Sequence, residues 1–502
     1  MSNVIRNLKE TLRQKLLGFG ENITGSVTIW AALTIPVIIG GGALSVDVAR
    51  IYNMDNELQS AADALAKAGA AELDQRPLSI TRATRAVENM VENTQSFSKR
   101  GGGAVEVEQI RFLKSLPEND YQIISDEHVT TIPSEARYVE VSLTPEVVNT
   151  IFPTSFISRL TDVTMSADSV AGFDQTICNT APVFFCNPAE GNAQSIYDLM
   201  EDPNFLRRQI QFKSQGGGNS QYGPGNFGYL DPFGGNSGAS QITEAIAIDN
   251  PKVCFSRSAG VRLRPGNIGS VRQGFNTRFD IYEGSFKSRR TDPSYAPAQN
   301  VTKGYAGKKA CSTNLDDEAF GLPNDSCFAD DSCTEADGRM GNGDWDFVEY
   351  LRVNHNAISN LTIEGTQYSI NYSQGRTVPA TPPSRYSMYR WEIDNFSIPG
   401  SRTYGNSAGV EEGHPTCHAS GPSTTVDDRR IIHAALLNCG AIEASGERMN
   451  GRTDPLPVET FVKVFLTEPM GNGQDNDIWG EIVGPVVQGR DSVSNDQIAV
   501  VR

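Results

Sequence analysis

Histidine is scarce, at five in 502 residues, and no HExxH or P-loop string occurs. These absences remove the most direct signals of a zinc hydrolase and of a nucleotide-binding loop. Positive charge is in deficit: 60 acids stand against 43 bases, for a formal net charge of −17. An acidic surface repels nucleic acid and anionic headgroups alike, so neither is expected as a partner. Cysteine is missing from the first 177 residues and CxxC pairs from the whole chain, which excludes a thioredoxin-like motif and a zinc ribbon. The sharpest gap is local: no charged side chain lies between Ile23 and Val46.

As a helix, that uncharged run is about 36 Å long, enough to cross the hydrocarbon core of a bilayer. Pro36 and the triplet Gly40-Gly41-Gly42 weaken a helix in water, but in lipid the cost of unpaired backbone groups keeps such a segment helical. A cleaved signal peptide is the competing reading, with Ala43-Leu44-Ser45 as the cut. The helical pattern continues without a break through VDVARIYNMDNELQSAADALAKAGA, so an uncleaved transmembrane anchor is expected over 23–46. Small or apolar residues then recur at Leu58, Ala61, Ala62, Leu65, Ala68, Gly69 and Leu73, with Asp55, Gln59, Asp63 and Lys67 on the other face. Pro77 marks the end soon after Leu73. The expectation is a single helix of about fifty residues, half in lipid and half in water. Arg6, Lys9, Arg13 and Lys15 precede the span, whereas Asp47, Asp55, Glu57 and Asp63 follow it. By the positive-inside rule residues 1–22 are cytoplasmic and the bulk is exported.

After the long helix, SITRATRAVENMVENTQSF (79–97) reads as a second helix capped by Ser79. Alternating patterns predict strands in AVEVEQIRFL, YQIIS and RYVEVSL, with Val139, Val141 and Leu143 on one side. PEVVNTIFP reads as a short apolar helix and DVTMSADSVAG as a further strand, closing a first unit near Phe173. Residues 174–250 are rich in Gly and Asn and read as an irregular connector. From 251 to 502 a loop-rich mixed α/β region is expected. Its clearest strands lie in 429–439, 458–469 and 477–487, and the apolar run Ile431–Leu437 suits a strand buried on both faces of a helix-covered sheet.

All eight cysteines (Cys178, Cys186, Cys254, Cys311, Cys327, Cys333, Cys417 and Cys439) fall in the exported part, where an even count suggests disulfides. Proximity along the chain favours 178–186, 254–311, 327–333 and 417–439, one of many connectivities eight cysteines allow. His414 and His418 in HPTCH have zinc-like spacing, but Pro415 and the flanking residues describe a loop, and Cys417 is read as a disulfide half. The acidic loop with Asp330, Asp331, Asp337, Asp344 and Asp346 fails the EF-hand pattern and reads as solvated. His433, inside the apolar run, reads as a satisfied core residue. No catalytic residue, cofactor site or metal site is assigned, and the chain is not expected to be an enzyme.

The N-terminal string resembles the TadG-like proteins of the Tad (Flp) pilus-assembly system. The resemblance rests on Gly25, the apolar run, DVAR at 47–50 and LQSAADALAKAGA at 58–70. A TadE-like relative carries a Glu early in its span, whereas here Thr28-Ile29-Trp30-Ala31 holds no acid. That departure favours the TadG-like type. NTRFDIY (276–282), GNGDWDFVEYLRVNH (341–355), RYSMYRWEID (385–394) and RRIIHAALLNC (429–439) add a patchier likeness to the alpha-proteobacterial version. Many relatives carry a von Willebrand A domain with an Asp-x-Ser-x-Ser metal site. The nearest string here, DPSYA at 292–296, ends in Ala, so the region is either a degenerate domain of that kind or a different fold. The resemblance implies a membrane-anchored structural component of the pilus machine, in the bacterial inner membrane with its bulk in the periplasm. Its partners would be other Tad proteins, both pseudopilins and platform components. Neighbouring spans would pack through Gly40, Gly41, Gly42 and Ala43, and the Ala-rich stretch would continue that contact. An anchored metal-dependent enzyme and an adhesin are the alternatives. The fold class is α+β: a pseudopilin-like domain over 47–173, its long helix on a small sheet, then the disulfide-bearing mixed region.

Overall fold

The computed structural model describes residues 23–502 apart from 75, 91–93, 96–102, 118, 120, 150–161, 193, 215–220, 233–236, 265, 267, 305–310, 312–318, 401–410, 425–427, 450–454, 472–476, 488–489 and 495–496. The cytoplasmic N-terminus expected over 1–22 lies outside the described residues. The chain forms two compact units. One runs to Phe173 and includes Ile498–Arg502, and the other is Asp174–Gln497.

The first unit is organised by one helix. α1 (Ile23–Ala71) is continuous over 49 residues, passing through Pro36 and the glycine triplet, about 74 Å of helix. Its second half sits on a sheet of β1 (Val107–Leu113), β2 (Tyr138–Leu143) and β5 (Asp168–Asp174), joined in antiparallel register. On β2, Val139, Val141 and Leu143 point into the core, as their alternation predicts. They meet Leu58, Ala62, Leu65 and Ala66 of α1 and Val87 of α2 (Ser79–Asn89). At the closest approach a Cβ on Gly69 would lie 2.9 Å from Val87 Cγ2 and 3.2 Å from Val139 Cγ1. Only a hydrogen side chain lets the two helices and β2 come this near. Arg82 holds the turn between α1 and α2 by ion pairs to Glu72 (3.0 Å) and Asp74 (2.6 Å).

Four local expectations change. Ser79 does not cap α2; the cap position is Leu78, in the left-handed region at φ 66°, and the buried Ser79 hydroxyl reaches Pro133 O at 3.4 Å. α2 ends at Asn89, and 91–93 and 96–97 of the expected helix lie outside the described residues. YQIIS is not a strand: Asn119 accepts from the Tyr121 and Gln122 N–H groups and closes a turn, leaving Tyr121 and Ile123 94% and 89% exposed. PEVVNTIFP begins not as a helix but as β3 (Glu146–Asn149), paired antiparallel with β4 (Asp162–Met165). Two adjacent valines favour extended backbone over helix; residues 150–153 lie outside the described residues. The far edge of the sheet is closed by Gln497–Val500 beside β5. There Val170 N–H donates to Arg502 O (2.7 Å) and Val501 N–H to Val170 O (2.8 Å).

The second unit is built on a seven-stranded sheet. Its strands are β6 (Val183–Cys186), β7 (Gln209–Ser214), β8 (Asn226–Leu230), β9 (Leu263–Arg264), β10 (Ile431–Leu437), β11 (Thr460–Leu466) and β12 (Ile478–Pro485). Their order is β7-β12-β11-β10-β6-β8-β9, and β7 also pairs with β8, so six strands close into a ring. Only β10–β6 and β7–β8 are parallel; the other five pairings are antiparallel. That is not the parallel sheet a von Willebrand A-like reading requires. The stretch 174–250 is no connector: it supplies β6, β7 and β8. Their apolar cores are three or four residues long, too short for periodicity to separate them from the Gly-rich loops around them.

β10 lies near the middle of the ring and is buried on both faces except at His433, as its apolar run predicts. Ile432, Ala434 and Leu436 face a cluster with α3 (Ala239–Ala247) and α4 (Val271–Thr277). On the other face, Ala435 and Leu437 belong to one cluster, and Ile431 to another with α5 (Phe347–Asn354) and α6 (Arg385–Asp394).

Two outcomes are expected. Gly69→Val should destabilise the first unit by about 1–3 kcal/mol through overpacking, read as a lower midpoint in denaturant for the full chain in detergent. Burial lowers the His433 imidazole to about 4 from 6.5. A depressed folded pKa leaves its stabilisation intact above pH 6.5 and removes it as pH falls towards 4. The stability difference between wild type and His433→Gln should therefore shrink or reverse between pH 7.5 and pH 4.5, within a limit of about 3 kcal/mol.

Candidate membrane anchor and assembly surface

The first half of α1 touches little else. Val27, Trp30, Val37 and Ile38 are 64–73% exposed, and this helix is long and apolar enough to cross a membrane, with a mean hydropathy of 1.9 in its most apolar window. A contiguous apolar surface of this kind is unfavourable in water and marks contact with lipid or protein. Two of its hydroxyls are satisfied within the helix, as an apolar medium demands: Thr34 donates to Trp30 O (2.8 Å) and Ser45 to Gly41 O (2.7 Å).

The change of environment begins at Asp47. This carboxylate is 3% exposed and is paired with Arg50 one turn on, at 3.7 Å. From there one face of α1 turns inward at Met54, Leu58, Ala62, Leu65, Ala66 and Ala70, all buried. This divides the helix-packing candidates. Leu58, Ala62, Leu65 and Gly69 are buried within their own unit, with Ala61 and Ala68 half-buried beside them. The expectation that the Ala-rich stretch carries contacts between copies is overturned, because the sheet of its own unit already occupies that face. Gly41 and Gly42 have open space where a Cβ would stand, and Gly40 and Ala43 are half-exposed.

In the second unit the eight cysteines pair as 178–254, 186–439, 311–417 and 327–333. Only 327–333 follows proximity along the chain; the pairings 178–186, 254–311 and 417–439 are replaced. Strand register sets two of the others. Cys178 and Cys254 are direct partners in a short antiparallel pair, and Cys186 stands opposite Leu437, two residues before Cys439, in the parallel β6–β10 pair. Glu190 accepts from the Cys439 and Gly440 N–H groups at 2.6 and 2.7 Å, while burial raises its carboxyl to about 7. Glu190, Cys186 and Cys439 are the one cluster of three potential metal ligands among the described residues, and both sulfurs are bonded to each other.

The other sequence candidates do not converge. His414 is exposed, whereas His418 is buried with both ring nitrogens used. Nε2 faces Asp292 O at 3.0 Å, and Nδ1 faces Gly421 O at 3.2 Å and the Ser420 N–H at 3.3 Å. The HPTCH loop is held by Asp280, whose carboxylate accepts from the backbone of Thr416, Cys417 and His418. In the acidic region Asp330, Asp331 and Asp344 are exposed. Asp346 caps α5 through the Glu349 N–H. The buried acid here is Asp325, which the reading of the acidic loop passed over; it pairs with Arg385 at 2.7 Å. Two strings also carry motif letters. Gly223–Gly228 spells GxGxxG but leads into β8 rather than a helix, the wrong context for a dinucleotide site. Gly405–Gly409 spells Gly-x-Ser-x-Gly and lies outside the described residues.

Residues 25–72 match the family model described as putative Flp pilus-assembly TadE/G-like. The matched segment is α1 almost end to end, in keeping with the resemblance read from the sequence. No curated protein and no solved structure matches the chain.

Peptide mapping without reductant should recover the four pairs 178–254, 186–439, 311–417 and 327–333. Replacing Cys186 and Cys439 together by Ser should cost about 2–4 kcal/mol, seen as lower resistance of the second unit to proteolysis.

Proposed function

We propose that the chain is a single-pass structural component of a Tad (Flp) pilus-assembly apparatus, anchored in the bacterial inner membrane with its N-terminus cytoplasmic and both folded units in the periplasm. One observation carries this reading: the segment matched to the pilus-assembly family coincides with a helix whose first half is exposed and apolar and whose second half forms a folded core. A rod built this way couples position in the bilayer to the unit outside it. The direction follows from the basic residues ahead of the span and the acids behind it. The paired cysteines fit an oxidising compartment. Gly40, Gly41, Gly42 and Ala43 then offer neighbouring spans a face on which two backbones come close. Its partners on this reading are pseudopilins and platform proteins of the same system.

Deleting the gene should abolish surface pili, and the intact gene should restore them; pili retained in the deletion strain would overturn the reading. Alkaline phosphatase fused after Arg502 should be active, and fused at residue 15 inactive. The double change Gly41→Leu and Gly42→Leu should keep the protein in the membrane yet lower piliation.

A further inference from the structure

The second unit carries a cleft of about 790 Å³ unrelated to the helix or the disulfides, within the range of small-molecule sites. Ile431 of β10, Lys463 of β11 and Val483 of β12 contribute to its lining, with Tyr386 from α6. Its polar lining is incompletely satisfied. Arg278 Nε and Asp428 Oδ2 are buried without a hydrogen-bond partner among the described residues. His433 lines the cleft, and its ring makes no hydrogen bond among the described residues, against the expectation of a satisfied core histidine. Native proteins leave few buried polar groups unpaired, so two on one cleft, beside a half-buried imidazole, need an explanation.

Their chemistry restricts the occupant. Arg278 Nε–H donates only, Asp428 Oδ2 in its ionised form accepts only, and a neutral imidazole does one at each nitrogen. A simple anion satisfies the first and repels the second; an amine does the reverse. A hydroxyl both donates and accepts. The guanidiniums of Arg278 and Arg429 bond main-chain carbonyls, at Arg429 O and Ile246 O for the first and Ala296 O and Ala247 O for the second. Neither has a carboxylate in salt-bridge contact among the described residues. Across the lining, Arg278, Arg429, Lys463 and Arg490 stand against Asp249, Asp428 and Asp491. This is a local excess of one base in a chain of net charge −17.

We propose that this cleft binds an acidic saccharide, whose hydroxyls engage Asp428, His433 and Arg278, and whose single carboxylate answers the excess cation. The apolar part of the lining, Ile431 and Val483 with Tyr386, suits the C–H face of a sugar ring. This site is independent of the pilus reading and requires no chemistry beyond binding.

The test is calorimetric titration of the full chain in an amine-oxide detergent, which carries no sugar headgroup. The probes are trigalacturonate and N-acetylmuramic acid, with maltotriose, citrate and the dipeptide Ala-Glu as comparators. At least one acidic sugar should bind saturably, about tenfold or more tighter than maltotriose. Asp428→Asn should weaken it about tenfold. Ser492→Trp, at an exposed position on the lining, should block it without touching a buried group, so the result stands even if the Asp428 variant misfolds. The proposal is overturned if neither acidic sugar binds, if citrate or Ala-Glu binds as tightly, or if Ser492→Trp leaves binding unchanged.

Discussion

An α-helix satisfies its own backbone, and that property lets α1 run from one medium to another without a joint. Only the side chains need change. Up to Val46 they are uncharged and mostly exposed; from Met54 one face is buried against β2 and α2. The first regime ends before Asp47, since a carboxylate is costly in hydrocarbon, and its partner Arg50 lies one turn further from the apolar run. The packed half fixes the helix in its unit, and the rigidity of the helix carries that constraint into the exposed half. Gly69 leaves little tolerance, because the stiff β-branched side chains of Val87 and Val139 already fill the space a Cβ would take.

The second unit answers a different difficulty. β6 lies beside β10 although about 250 residues separate them in sequence, and closing such a loop is entropically costly before any contact repays it. The Cys186–Cys439 disulfide spans 253 residues at the ends of those two strands, so it constrains the pairing that the chain finds hardest to make. Cys311–Cys417 and Cys178–Cys254 close 106 and 76 residues. Distant pairing, not local stapling, is the common pattern, which is why proximity along the chain misassigned three of the four.

What the sequence disclosed follows from the range of the interactions. α1 was legible because hydropathy and helical period are local properties of consecutive residues. Val139, Val141 and Leu143 were legible for the same reason at period two, and β10, β11 and β12 because their apolar runs are long. β6 to β8 were not, since stretches such as VFFC and NFGYL gain meaning only from the neighbours that pair with them. The strand Gln497–Val500 was invisible in the same way: it completes a sheet whose other strands end at Asp174. The anchor half of the candidate site was therefore readable at the outset. The fate of its Ala-rich half was not, because a small-residue face suits a partner molecule and a sheet of its own unit equally well.

Charge is also distributed unevenly between the interior and the surface of the second unit. Arg278, Arg385, Arg429 and Arg430 are all at most 6% exposed, an expensive use of cations unless each is held. Arg385 sits between Asp325 and Glu481, 2.7 Å from each. Arg430 bonds the carbonyls of Leu466 and Thr467 and lies over the rings of Phe279, Tyr389 and Phe465. Buried acids, among them Asp280, Asp325, Glu392, Glu411 and Glu481, are at least as numerous as the buried bases, so the solvent-facing surface keeps the acidic character of the net charge of −17. Such a surface gains nothing from anionic lipid headgroups. On the proposed reading, attachment to the bilayer is then left to the apolar half of α1.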